Sequence, residues 1–541
     1  MSTTRDRLSA AAVRQAAVRH PAAQRLRRFS GRPRVVLYLV ATAVALALLL
    51  PEAFLLLQAH DVGWAELKRV LVRPLSVELL RNTVELAVVV TVCTAIIGTA
   101  AAWCVERTRL PGKRVWAVLV VLPVSIPDFV VGYAWHSLFP TFVDLPAASV
   151  VMTLDLYPLV YLPVAAALRR TDPALEETAH SLGYGPFATF RRVVLPQIRP
   201  ALFGGCLVVL LALLAEFGAF EILNFRTFTT EIFTELQVDS SAASAMSLLL
   251  VTLGIVVLIG EGLSSGRGRI SRAGPQASRP PIRRRLGPWL VPTTLGLALV
   301  VVLAVGLPIG TLVYWLTHSQ QTTLPASTTL LDATLVTVRY SAGAALVATI
   351  AAIPVALLAA RRQGRIAMVL ERSTYLIQSV PGVVIALSLV FFSVRYLFPL
   401  YQTSVLLVIA YALLFFPLAL VCVRASAMQA SPRLAEMGRS LGHRPISVLF
   451  RVTLPIIAPG VAAAFCLVFL SSVTELTATL VLVPTDVHTL ATQFWAFQTN
   501  TAYGAAAPYA AVIVAIAAIP SIVVGTWFSR RQGGDVGVVA A

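Results

Sequence analysis

Side chains able to move protons, hold metals or attack bonds are few in this 541-residue sequence, and they are scattered. The seven histidines form no cluster, and neither an H-E-x-x-H nor a D-x-D motif occurs, so metal-assisted hydrolysis and lipid-linked group transfer have no constellation to work with. There are two lysines, Lys68 and Lys113, and neither stands in the G-x-x-x-x-G-K-[ST] loop that cradles ATP phosphates. Lys113 follows Gly112 but precedes Arg114, with Arg107 where the first glycine belongs. The five cysteines (Cys93, Cys104, Cys206, Cys422, Cys466) lie in apolar runs without C-x-x-C spacing and read as small packing residues. No catalytic residue, resident metal or cofactor is expected. What remains is a set of acids embedded in apolar sequence: Glu85, Asp128, Asp155, Glu216, Glu221 and Glu475. A carboxylate in such a stretch is costly and is by default a candidate for a polar pathway. Glu216 and Glu475 lead because they fall at equivalent places in a repeat. They can line a central path, or each can simply hydrogen-bond a neighbouring helix. The other four lack acidic counterparts, and packing or interfacial roles are expected for them.

The elements that must position these acids follow from composition. With 57% hydrophobic and 13% charged residues and a mean hydropathy of +0.81, the chain has about half the charge of a soluble protein, for which about 25% is typical. The net charge of +18 does not form one basic face, which argues against nucleic acid. Apolar stretches long enough to cross a bilayer lie near 35–57, 84–104, 115–138, 146–168, 201–222 and 243–262, and again near 288–316, 333–360, 374–398, 404–424, 460–482 and 504–528. The expected fold is therefore all-α, with about 12 transmembrane helices in two parallel six-helix repeats. The expected boundaries are a basic segment 1–34 holding nine arginines, a first unit 35–263, a Gly/Ser/Pro/Arg-rich linker 264–287, a second unit 288–529 and a tail 530–541. Arginines gather on alternate connections, which places both termini in the cytoplasm. Pro127 and Pro381-Gly382 are expected to kink the third helix of each half.

The repeat is explicit around 173–200. A shift of 259 residues aligns this segment with 432–459 at 13 of 28 positions, including Glu177 with Glu436, Gly183 with Gly442, and Leu195-Pro196 with Leu454-Pro455. The same shift pairs Pro158 with Pro417 and Glu216 with Glu475. Upstream, a shift of 254 pairs Thr83 with Thr337 and Pro127 with Pro381. Asp172 or Ser431 can cap a helix opened by Pro173 or Pro432, and Gly183 or Gly442 can stop it in a left-handed conformation. A second short helix should follow from Pro186 or Pro445. Its apolar stripe would be Phe187, Phe190, Val193 and Val194 in one copy, and Ile446, Leu449, Phe450 and Val452 in the other.

These residues resemble the "EAA" signature of permeases in binding-protein-dependent ABC importers: Glu, two small residues, three of any kind, Gly, then Leu-Pro. The match is Glu177, Ala179, Gly183, Leu195 and Pro196, and again Glu436, Gly438, Gly442, Leu454 and Pro455. Thr178, Met437 and Gly438 depart from the alanines. The resemblance implies that each loop docks on one of two copies of a separate ATPase subunit, which binds the ATP this chain cannot. It also implies an extracytoplasmic solute-binding protein and a multi-pass place among the lipids of a bacterial inner membrane. The stretches EFGAFEILNFRTFTTEIF (216–233) and ELTATLVLVPTDVHTLATQFW (475–495) look like segments of ferric-iron permeases, which are also fused two-in-one chains. Thiamine permeases share that architecture and compete. A 12-helix secondary transporter would show a similar six-plus-six repeat. It would carry its signature between the second and third helices, where this chain reads ERTRLPGKRV and RRQGRIAMVL without the expected aspartate.

Overall fold

The computed structural model describes residues 32–264, 285–319, 325–361, 377, 380–430 and 432–533. The first basic segment through residue 31, most of the linker, most of RRQGRIAMVL and Ser431 lie outside the described residues. All regular structure among the described residues is helical. The first half comprises α1 (Arg32–Leu48), α2 (Leu50–Val62), α3 (Trp64–Val72), α4 (Pro74–Arg107), α5 (Lys113–Leu119), α6 (Asp128–Leu138), α7 (Asp144–Arg170), α8 (Pro173–Ser181), α9 (Pro186–Thr189), α10 (Leu195–Ala215), α11 (Gly218–Ile222), α12 (Phe228–Leu236) and α13 (Ser240–Ser264). The second comprises α14 (Leu290–Val301), α15 (Leu307–His318), α16 (Ser327–Arg361), α17 (Gly382–Tyr396), α18 (Ser404–Leu414), α19 (Phe416–Gln429), α20 (Pro432–Ser440), α21 (Pro445–Val448), α22 (Leu454–Val473), α23 (Thr477–Leu482), α24 (Leu490–Thr499) and α25 (Tyr503–Gly533).

Seven of the described helical stretches are long and apolar enough to cross a membrane, and two bent pairs, α1–α2 and α18–α19, raise the number to nine. The helix Gly382–Tyr396 and the stretch Tyr503–Ile519 are apolar but shorter. This is the all-α, polytopic, twice-repeated architecture the sequence implies. The repeat register recurs in the element ends: α8 and α20 span equivalent residues.

Two expectations are corrected. Residues 115–138 are not one helix: α5 gives way to a 3-10 turn (Leu122–Ser125), and α6 starts afresh at Asp128. Pro127 and Pro381 therefore do not kink a helix; they precede one. Each is extended, with ψ of 140° and 149° respectively, and the residue before a proline is sterically biased away from helix. The second correction concerns the fifth span. It begins earlier than 201 and 460 and ends sooner, running continuously as Pro186–Ala215 and Ile446–Val473. The "second short helix" of each loop is thus the foot of a long span.

Each long foot contains a five-residue π turn, Phe190–Val194 and Leu449–Thr453, and a third π turn, Val302–Gly306, joins α14 to α15. All three are followed at once by Leu-Pro: Leu195-Pro196, Leu454-Pro455 and Leu307-Pro308. The cause is common to all. A proline inside a helix lacks the N–H that the carbonyl four residues back would accept from, and its ring crowds that carbonyl; at these three sites a widened turn accommodates it, whereas Pro158, Pro163, Pro200, Pro354 and Pro459 sit in regular α-helix.

The two hydrophobic cores do not follow the halves. One joins α4, α6, α7, α10 and α11 with α14, α15, α24 and α25; the other joins α1, α2, α12 and α13 with α16 to α19, α22 and α23. The opening helices are therefore exchanged. α1 packs on α16, α2 on α17, and α15 on α6. Phe54 of α2 meets Phe392 and Tyr396 edge-on at 6.0 and 6.2 Å. In the reverse direction, Trp315 Nε1 donates to Ser137 Oγ at 3.1 Å.

Candidate translocation site and coupling loops

Glu216 stands one residue beyond α10 and Glu475 two residues beyond α22, so both acids lie at helix breaks and not inside a span. Glu216 Oε1 accepts from Ala219 N at 2.6 Å and Glu475 Oε1 from Ala478 N at 2.8 Å. Each carboxylate thus caps the short helix that follows, α11 or α23, satisfying an N–H that the first turn leaves without a helical partner. The backbone carbonyls at the same residues are held too, by Thr229 Oγ1 on Glu216 and Thr479 Oγ1 on Glu475.

Capping does not remove these acids from the space between the halves. A cavity of about 450 Å³ is lined by Pro127, Asp128, Asp155 and Glu216 from one half and by Gly382, Ser471, Thr474 and Glu475 from the other. Asp128, Asp155, Glu216 and Glu475 thus share one cavity wall, drawn from both halves. Asp155 is 4% exposed, and its Oδ1 has no hydrogen-bond partner among the described residues. The halves meet closely here: a Cβ on Gly218 would fall 2.7 Å from Leu476 Cδ2 and 2.8 Å from Phe129 Cβ.

Sequence reasoning gave Asp128 and Asp155 packing or interfacial roles because neither has an acid at its repeat counterpart. Their counterparts are Gly382 and Leu414. The signal was nonetheless present: Pro127-Asp128 and Pro381-Gly382 are equivalent, and a Cβ on Gly382 would lie 3.3 Å from Glu475 Oε1. Position 128/382 therefore abuts the acid in both halves. Glu85 and Glu221 are exposed and outside the cavity. The four carboxylates do not converge as chelators. Among the described residues, no three His, Cys, Asp or Glu side chains are placed to hold one metal ion.

At the end of the molecule where α4 and α7 stop, α8 and α20 form the two loops. Asp172 caps α8, its Oδ1 accepting from Ala174 N at 2.9 Å. Gly183 and Gly442 follow with φ of +82° and +85° and nothing within 4 Å of a Cβ at either. The bonds Tyr184 N to Ala179 O and His443 N to Gly438 O, at 3.0 and 3.2 Å, close the helix ends as Schellman turns. Ala179 and Gly438 face inward, whereas Glu177 and Glu436 are exposed. The expected apolar stripe splits: Phe190 packs edge-on to Trp103 at 5.0 Å and Val194 is buried, while Phe187 points out. Leu182 and Leu441 are 71% and 77% exposed, and Phe187 and Ile446 are 76% and 70%. Both loops thus present apolar side chains at equivalent positions.

Two copies of a module, two loops with the same exposed apolar positions and a cavity between the copies coincide with what sequence comparison finds. The family described as "Binding-protein-dependent transport system inner membrane component" matches twice, over residues 87–265 and 352–533. The chain belongs to this family. It is a permease with two family modules fused in one polypeptide. It is 39% identical, over 90% of its length and 97% of the relative's, to the "Fe(3+)-transport system permease protein FbpB 2" of Haemophilus influenzae. The sulfate transport permease CysT of Salmonella typhimurium is 31% identical over 40% of this chain and 86% of its own. The molybdenum transport permease ModB of Mycobacterium bovis is 28% identical over 40% of this chain and 89% of its own. The sulfate and molybdenum relatives each match about 40% of this permease, whereas the Fe(3+) relative matches across both modules.

Proposed function

We propose that this permease carries ferric iron across a bacterial inner membrane, driven by two copies of a separate ATPase docked on its α8 and α20 loops and fed by an extracytoplasmic solute-binding protein. The observation that carries the choice of cargo is the cavity bearing Asp128, Asp155, Glu216 and Glu475. The lining holds four carboxyl groups and no basic side chain, so it offers oxygen donors to a cation and no positive partner to an anion such as the sulfate named for one relative. Fe(III) is a hard ion suited to oxygen donors. Carboxylates that do not converge as a chelating set suit passage better than retention. Thiamine, a cationic organic solute, is the second reading, since the same charges would attract it.

The α8 and α20 loops suit docking because the residues that hold them to the spans are buried and those facing away are apolar and exposed at matching positions. On this reading Glu177, Ala179, Gly183, Leu195 and Pro196, with Glu436, Gly438, Gly442, Leu454 and Pro455, shape the coupling elements. The loop end, both termini and the linker then face the cytoplasm, and ATP hydrolysis belongs to the partners. The test is reconstitution with the ATPase and the binding protein in lipid vesicles. The isolated chain should hydrolyse no ATP, and the complex should accumulate radiolabelled Fe(III) but not thiamine, sulfate or molybdate. Thiamine uptake without iron uptake would reverse the assignment of cargo.

A further inference from the structure

The two loops are alike in outline but differ at the base. Arg107, the last residue of α4, and Glu176 of α8 are both buried, and their Nη2 and Oε1 atoms lie 2.9 Å apart. Arg107 Nη2 also donates to Thr171 Oγ1, at the turn between α7 and α8. One residue earlier, Glu106 Oε1 lies 2.6 Å from Arg169 of α7, and its Oε2 lies 2.7 Å from Lys113 of α5. Two adjacent residues at the end of α4 thus bind the start of α5, the end of α7 and the first loop helix. In the second half the arginine persists as Arg361, but every other member is replaced by an apolar residue. Ala360 stands for Glu106, Ala367 for Lys113, Met428 for Arg169, Ala430 for Thr171 and Ala435 for Glu176.

We propose that Arg107, Glu176 and Glu106 are positioning residues that clamp the first coupling loop to its half of the permease, and that the second loop, lacking the clamp, is the more compliant of the two. A buried ion pair fixes geometry because either partner left alone is an uncompensated charge in a low-dielectric site. The α8 loop therefore moves as one body with α4 and α7, whereas α20 can tilt on its span. This rests on the reading that both loops receive the ATPase. It makes the two ATPase subunits unequal levers: one pushes on a rigid arm, the other on a hinged one.

The clamp can be read without the ATPase. In the full chain, with its five native cysteines replaced by alanine, a spin label is placed at Leu182→Cys or at Leu441→Cys. The label at 182 should be the less mobile of the two. Glu176→Gln should raise its mobility to that at 441, and Ala435→Glu, which supplies a carboxylate to a chain already carrying Arg361, should lower the mobility at 441. In the reconstituted complex, unlabelled Glu176→Gln should retain the ATPase on co-purification yet hydrolyse several-fold more ATP per solute imported. Replacing the pair by Arg107→Met with Glu176→Leu keeps the site buried and neutral, and should give the same loss of coupling if folding is not at issue. An unchanged label at 182 in Glu176→Gln overturns the clamp, and so does a loosened label with an unchanged ratio of ATP to solute. If the ATPase fails to bind even the unmodified chain, the docking reading falls, while the label mobilities still decide the clamp.

Discussion

Glu216 and Glu475 each do two things with one side chain, and the two can be separated. Glutamine keeps an amide oxygen able to accept from Ala219 N or Ala478 N, so Glu216→Gln with Glu475→Gln should preserve the caps while removing two acidic groups from the cavity. Expression and ATPase binding should stay at wild-type levels and iron uptake should fall about tenfold or more, the equivalent of ~1.4 kcal/mol; undiminished uptake would leave both residues as caps alone. Alanine at either position should instead cost about 1 kcal/mol of stability through the lost cap. Gly183 and Gly442 offer a second separation. Nothing stands within 4 Å of a Cβ at either, so Gly183→Val with Gly442→Val strains only the backbone, by about 1 kcal/mol or more at a positive φ. The protein should remain in the membrane at normal levels while uptake is strongly reduced; loss of the protein would assign the glycines to folding. Much of this was legible in sequence, because a left-handed glycine and a repeated acid each announce themselves. Asp128, Asp155 and Glu176 were not legible, because each gains its meaning from a partner distant in sequence. The alanine-to-glycine departure at 438 also becomes intelligible only in three dimensions. A Cβ there would lie 3.2 Å from Val448 Cγ2, so Val448 would have to give way to an alanine.

At the scale of elements, the Leu-Pro of each loop signature acts through the π turn in front of it. A π turn is in effect one extra residue in a helix, and one residue corresponds to about 100° of rotation at 3.6 residues per turn. Pro196 and Pro455 therefore fix the direction in which α8 and α20 project from their spans. Pro196→Ala or Pro455→Ala should let the turn close to regular α-helix, with the insertion level unchanged or improved, since proline within a helix costs about 3 kcal/mol. The loop would then be turned away from its partner. The expected outcome is reduced co-purification of the ATPase from a well-folded protein, and unaltered binding and uptake would show that the π turn is incidental. Sequence placed the prolines correctly at 127 and 381 but misjudged their effect, because hydropathy runs unbroken across residues where the backbone does not. The helix breaks at 126–127, 216 and 475 are set by backbone hydrogen bonding and by caps, to which apolar periodicity is blind.

For the whole molecule, the exchange of α1, α2 and α15 between halves means that neither half completes its core alone. Cutting the chain within residues 264–287 and co-expressing the pieces should still give a single complex that co-purifies through a tag on either piece. Each piece alone should be degraded; a stable, separately purified first half would contradict the interleaved cores. The same exchange sets a schedule for synthesis. α1 leaves the ribosome early, yet α16, the surface it packs on, is made only about 280 residues later. At about 5–20 residues per second this is a wait of roughly 15–60 s. During that interval Ala41, Ala45 and Leu48, which end fully enclosed, must lie against lipid or against an insertion factor of the cell. A fused gene shortens the search to a single tethered encounter, while making the earliest described helix among the last to find its place.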